Sequence, residues 1–337
     1  MKCSLTKTQW VASVGLLAAA ACWSGLASGA DGQEEKSLAE QIFETMIQLP
    51  GNNPHYRTAH AKGVVCEGTF TPSGGAASLS KVAHFQGGPI PVVVRFSDAS
   101  EDPHIPDNAG VPRGMAIRFS LPGGGVTDIV SLSHNGFIVG TGEDFLALQK
   151  AIVATDPSKP HPWPIEAFLG SHPLALKFVQ EIQAVPASFG TQAFFSNDAF
   201  IFVNSRGVKQ AGRYKLLPVA GLQDLTEAEA KTKSPNFLVE ELKTRLTKGP
   251  VRYRMIVQLP NAGDPTHDPS LVWPEDRRTV EIGVVSITSV VPDSDTVQKT
   301  LVFFPTNLTD GIELSDDPFP ALRTSVYALS FARRQQP

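Results

Sequence analysis

The strongest constraint on the fold is a succession of short, apolar, β-branched runs separated by proline, glycine and aspartate. "PVVVRFS" (91–97), "GMAIRFSL" (114–121), "DIVSLS" (128–133) and "GFIVG" (136–140) each fit a strand bounded by turn residues. "AFIFVNSRGVKQAGRYKLLPV" (199–219) reads as a hairpin turning at Ser205-Arg206-Gly207. "VRYRMIVQLP" (251–260) and "TVEIGVVSITSVV" (279–291) add further strands. By these signals about eight strands lie between residues 62 and 291. They include hairpins, and no glycine-rich phosphate loop follows any of them. The pattern predicts an antiparallel barrel or sandwich with added helices, of class α+β, and excludes a doubly wound sheet.

Helical periodicity appears around these strands. "SLAEQIFETMIQLPG" (37–51) places Leu38, Ile42, Phe43, Met46 and Leu49 on one face, with Ser37 and Gln41 at its start. "EDFLALQKAIVATD" (143–156) and residues 164–182 read as helices. "LTEAEAKT" carries a Thr226/Glu229 capping box. There is no internal repeat and no low-complexity linker, so residues 31–337 are read as one domain.

The first thirty residues differ. Lys2 and Lys7 precede "WVASVGLLAAAACW" and the small-residue run "GLASGA", the pattern of a secretory signal cut near Ala30. The apolar run is short for a membrane span. Export to the periplasm, with no membrane attachment after cleavage, is the expectation. Cys3 and Cys22 fall in this signal, which leaves Cys66 without an internal disulfide partner. A chain of 337 residues, 42% hydrophobic, can hold itself together by core burial instead. The formal charge of −4 supplies no basic field, so nucleic acid is not an expected partner.

Two stretches carry chemistry. In "HYRTAHAKGVVCEGTF" (55–70), His60 stands at the mouth of an apolar strand. A neutral imidazole there is either a satisfied structural group or a proton carrier. In "SDDPFPALRTSVYALSFARR" (315–334), Asp316 or Asp317 is the expected N-cap and Leu322, Val326 and Leu329 form an apolar stripe. At about 100° per residue, Arg323, Tyr327 and Arg334 fall within roughly 40° of one another. A cation one turn from a phenol favours phenolate, a hard anionic ligand for ferric iron. On the pattern alone, a core tyrosine with surface arginines is the favoured reading.

These residues carry a resemblance. "HYRTAHAKG", "VVVRFSDAS", "GVPRGMAIRFS" and "FFPTNLTDGIELSDDPFPALRTSVYALSFARR" follow one another as in the haem catalase superfamily. The chain resembles its short, exported, catalase-related peroxidases over residues 40–334. The resemblance implies a catalase-like antiparallel eight-stranded β-barrel with surrounding helices, and haem b between the barrel and the C-terminal helix. It implies that Tyr327 is the iron ligand, with Arg323 beside it. His60 becomes the acid–base catalyst and Ser97 the hydroxyl that fixes its tautomer. Arg57, Arg95 and Arg334 match positions that meet the haem propionates or the phenolate, and Phe137 and Phe145 match distal aromatics. The implied activity is reduction of hydrogen peroxide or organic hydroperoxides by small electron donors. A non-catalytic haem carrier or sensor, or a hydroperoxide-rearranging enzyme, are the rival readings, and His60 with Ser97 argues against carriage. Catalases hold peroxide with a distal asparagine. An ungapped count from Phe137 puts Leu132 there, with Ser131, Ser133 and Asn135 nearby, so peroxidase rather than strong catalase activity is expected. The short arms imply a monomer or homodimer, and nothing points to a nicotinamide cofactor.

Overall fold

The computed structural model describes residues 35–181 and 184–336, so the expected signal segment lies outside the described residues. Ten strands form one connected sheet. They are β1 (Gly63–Pro72), β2 (Ile90–Asp98), β3 (Arg113–Ser120), β4 (Val126–Leu132), β5 (Phe194–Phe195), β6 (Phe200–Val203), β7 (Lys209–Pro218), β8 (Val251–Gln258), β9 (Thr279–Val290) and β10 (Ile312–Leu314). The antiparallel order β8-β9-β1-β2-β3-β4-β5-β7 closes on itself, because β7 also pairs with β8 from Tyr253↔Pro218 to Gln258↔Arg213. Eight strands thus make the barrel, while β6 and β10 extend it beside β7.

Period-two alternation fixes which residues face inward. Val94, Phe96, Met115, Ile117, Phe119, Tyr253 and Val285 fill the barrel and are fully shielded from solvent. Cys66 lies among them, and burial pushes its thiol up to about 12. The opposite face of β2–β4 carries Arg95 and Ser97, Gly114 and Ala116, and Val130 and Leu132. This outer face forms one wall of a cavity.

The remaining walls are helical. They come from α1 (Leu38–Met46), α2 (Gly142–Val153), α3 (Pro164–Ser171), α4 (Pro173–Glu181) and α6 (Phe319–Arg334). A further helix, α5 (Phe237–Leu246), packs elsewhere against β9. In α1, Ile42 and Met46 join Leu146 of α2 and Val326 of α6 in one apolar cluster. Ser37 caps α1 through a reciprocal box with Glu40, not with Gln41, whose amide turns back to the Lys36 carbonyl. The Thr226/Glu229 box forms as expected on a short helical turn at Glu227–Lys231.

Two boundaries differ from the sequence reading. "GFIVG" is not a strand. The Phe137 N–H is taken by the Pro269 carbonyl and the Gly136 N–H by the Asn197 side chain, so no ladder can form. Phe194–Phe195 supplies the barrel strand that joins β4 to β7. Helix α6 begins at Phe319, with Pro318 in the cap position. Asp317 still caps it from outside, its Oδ1 accepting from the Phe319 N–H at 2.9 Å.

Candidate active site

Between the outer face of β2–β4 and α6 lies a cavity of about 560 Å³. That volume is typical of a site for a cofactor or small molecule. All nine site residues predicted from the sequence line it: Arg57, His60, Arg95, Ser97, Phe137, Phe145, Arg323, Tyr327 and Arg334.

One ladder row sets the geometry at the His60 end. Gly63 pairs with Ser97, Ser97 with Gly114, Gly114 with Leu132 and Leu132 with Phe195. Ser97 Oγ lies 3.0 Å from His60 Nδ1. The ring is brought down onto this row by a left-handed backbone at His60, with φ of 54°. A non-glycine residue holds that conformation only where its surroundings enforce it. Here Arg95 Nη2 donates to the His60 carbonyl at 2.9 Å, and the Ala61 N–H donates to the Ser100 carbonyl at 2.8 Å. The Thr58 N–H donates to Ser330 Oγ on α6, which ties the same segment to the opposite wall. Burial holds the imidazole pKa down to about 3, with repulsion from Arg95, Arg323 and Arg57 adding to it. The ring is therefore neutral at ordinary pH and able to take a proton.

Gly114 is a site residue that sequence reasoning missed. A Cβ there would stand 2.7 Å from Ser97 Oγ and 2.8 Å from His60 Nδ1. Only a hydrogen at that position leaves room for the ring. The available signal was a glycine inside a strand pattern, which marks close approach by another group.

On α6, Arg323, Val326, Tyr327, Ser330 and Arg334 face the cavity at helical spacing. Arg323 reaches Tyr327 Oη with Nε at 3.1 Å and Nη2 at 3.0 Å. Its Nη1 donates to Asp198 Oδ2 at 2.6 Å. Burial opposes the charge on Arg323, but Tyr327, then Asp198, outweigh it and raise the pKa. Both forks of the guanidinium are thus held, and two of its N–H groups point at the phenol oxygen. Asp198 was also missed, since it lies 125 residues from Arg323 and shares no local pattern with it.

Arg57, Arg95 and Arg334 form a second cluster of cations. Arg57 and Arg334 each donate to the Leu301 carbonyl, at 2.7 and 2.5 Å. Arg95 donates from Nε and Nη2 to Gln298 Oε1 at 3.1 and 2.9 Å. Its bonds to Gln298 and the His60 carbonyl make it a brace for the His60 loop, which the sequence did not indicate. Among the described residues none of the three has a carboxylate partner. Burial pushes Arg95 down to about 9 and Arg334 to about 10. Arg57 is pushed down as well, by burial and then by repulsion from Arg95 and Arg334. Guanidinium forks gathered without counter-charge suit an anionic ligand with carboxylate groups.

Most of the remaining lining is apolar. Phe137 and Phe145 stand 5.7 Å apart, and Phe137 meets Phe319 edge-on at 5.2 Å. A flat apolar body with an anionic edge and a metal centre fits this set: aromatic walls, a guanidinium cluster, and one oxygen ligand backed by a cation. Leu132 lies in the wall where the resemblance places an asparagine. Its polar neighbours in sequence are engaged elsewhere. Ser131 Oγ donates to the Met115 carbonyl, Ser133 Oγ accepts from the Arg113 N–H, and Asn135 Nδ2 donates to Glu275.

The profile of the family described as "Catalase" matches residues 38–335. A "Catalase-related peroxidase" of Mycolicibacterium paratuberculosis is 36% identical over 298 residues, covering 88% of this chain and 94% of that protein. A second protein of that description, from Synechococcus elongatus, is 32% identical and covers 88% of each chain. Among solved structures, catalase A from Saccharomyces cerevisiae superposes with a TM-score of 0.74 at 20% identity. That match spans 83% of this chain and 61% of the yeast enzyme, and it shows the shared fold.

Proposed function

The chain belongs to the catalase family, and from that premise we propose how its residues carry a peroxidase reaction on a bound haem b. The observation that carries this reading is one cavity walled by the Arg323–Tyr327 pair, the His60–Ser97 pair and the unpaired arginines. Tyr327 Oη would hold the iron, and Arg323 would keep that oxygen anionic. Arg57, Arg95 and Arg334 would hold the propionates. When bound, the haem supplies the redox-active iron on which peroxide reacts.

The protein's own groups manage the protons. Neutral His60 takes a proton from one peroxide oxygen and returns it to the other, the departing one, as a general base and then a general acid. Ser97 holds the far ring nitrogen, so the working nitrogen keeps its orientation. For a hydroperoxide ROOH and two donors AH, the O–O bond breaks and ROH, H2O and two A radicals form. Each donor gives up one electron and one proton. With hydrogen peroxide both products are water.

Leu132 supports reduction by donors over oxygen evolution, because leucine offers no hydrogen bond to orient a second peroxide. We also propose export to the periplasm, from the pattern of residues 1–30, and a monomer or homodimer as the working form.

The test is the haem content of Tyr327→Phe. The variant keeps the ring and loses the oxygen, so it folds but holds haem weakly, with an altered ferric spectrum. Full occupancy with the parent's spectrum would overturn the assignment of Tyr327.

A further inference from the structure

The cavity has a carboxylate that the peroxide chemistry leaves unused. Glu101 lines it, and it is the one acidic side chain in that wall among the described residues. Met46, Leu49, Val111 and Pro112 are among the apolar residues that line the same cavity. The His60 segment is close, since the Ala61 N–H bonds the carbonyl of Ser100, the residue before Glu101.

What sets Glu101 apart is the lack of a cation. Asp98 is paired with Arg113, Asp107 with Lys62, Asp128 with Arg118 and Asp198 with Arg323, and the buried Asp317 feels the charges of Arg213 and Arg323. The half-buried Glu101 carboxylate folds back on its own backbone N–H. Burial raises its pKa, and the charge that acts on it is Asp102, another acid. The arginines that repel a proton from His60 do not register at Glu101. The cavity therefore carries cations on the His60 segment and α6, and at Glu101 one carboxylate on which no cation acts.

Resting on the peroxidase reading, we propose that the cavity wall at Glu101 binds the electron donor, and that Glu101 selects aromatic donors bearing a cationic amine. The apolar residues take the ring, and the carboxylate takes the ammonium through a charge-assisted hydrogen bond. Peroxide is too small and carries no charge, so it gains nothing from Glu101. Hydrogen bonds to charged groups contribute about 1.5–3 kcal/mol, which corresponds to a selectivity of about tenfold to a hundredfold.

The experiment compares two phenols of similar size and opposite charge, tyramine and 3-(4-hydroxyphenyl)propionate. Each is oxidised with peroxide at about pH 8, above the ordinary carboxylate range. The ratio of their kcat/KM values in one preparation cancels haem content and the peroxide step. The parent favours tyramine by about tenfold or more, and Glu101→Gln brings the ratio close to unity. A second arm needs no turnover. Binding of phenethylamine, which carries the ammonium but no phenol, is followed by titration calorimetry and weakens by about tenfold in Glu101→Gln. An unchanged donor ratio together with unchanged phenethylamine affinity would overturn the role of Glu101. If the haem-loaded parent oxidises neither phenol, the peroxidase reading fails instead, and the phenethylamine arm still decides whether Glu101 binds amines.

Discussion

Gly114→Ala isolates the positioning of His60 from its chemistry. The new Cβ would meet His60 Nδ1 at 2.8 Å, Cε1 at 2.9 Å and Ser97 Oγ at 2.7 Å, where ordinary contact begins near 3.4 Å. The imidazole must retreat by about 0.6 Å, and the 3.0 Å bond to Ser97 stretches or breaks. The Arg95 bond to the His60 carbonyl and the Thr58 bond to Ser330 hold the backbone, so the ring rather than the loop moves. A misplacement near 1 Å costs about a hundredfold in a reaction that depends on alignment. The peroxide step should therefore slow by about tenfold to a hundredfold, while haem content stays near that of the parent. Stopped-flow absorbance of the haem band after mixing with hydrogen peroxide reads the rate, and a pyridine haemochrome assay reads the content. A rate equal to the parent's at full haem content would refute the placement of His60 against β3.

Removing the ring altogether should cost more. His60→Ala is expected to slow the same step by about a hundred- to ten-thousandfold, the range of a general acid–base group, and an unchanged stopped-flow rate would make His60 structural. His84 offers a stability test away from the site. It is fully buried against Phe119 with neither ring nitrogen hydrogen-bonded, and burial lowers its pKa from 6.5 to about 4. The unfolded chain thus gains a proton below pH 6.5 that the folded chain refuses until about pH 4, so stability falls as the pH falls through that window. His84→Leu should flatten this loss by about 2 kcal/mol between pH 7 and pH 5 in urea titrations, and parallel pH profiles for variant and parent would contradict it.

Most of the site was legible because its parts are local. Arg323, Tyr327 and Arg334 share one helix face, and helical periodicity alone aligns them. The strands were legible as short apolar runs between turn residues, whereas Arg95 and Ser97 were marked only by the resemblance. What stayed hidden depends on residues far apart in the chain. Asp198 reaches Arg323 from the turn between β5 and β6, and Gln298 reaches Arg95 across 203 residues. The Leu301 carbonyl that gathers Arg57 and Arg334 is a backbone atom and leaves no mark in a side-chain pattern. "GFIVG" misled because it is apolar and β-branched, yet its N–H groups are taken by Asn197 and Pro269 before any strand can pair with it. Glu101 carries no mark in the sequence, because its lack of a cation depends on which residues the fold brings near it.

The central claim is that this cavity reduces peroxide at the expense of donors rather than disproportionating it. The measurement that tests it most directly is the oxygen released per peroxide consumed, by oxygen electrode, with a phenolic donor present and at known haem content. Disproportionation releases one oxygen molecule for every two peroxides. With Leu132 in the wall and Ser131, Ser133 and Asn135 engaged elsewhere, the parent should release little oxygen while the donor is consumed. Leu132→Asn, whose amide can orient a second peroxide, should raise the oxygen yield by about tenfold. A parent that releases one oxygen for every two peroxides with the donor untouched, and a variant that changes nothing, would contradict the account.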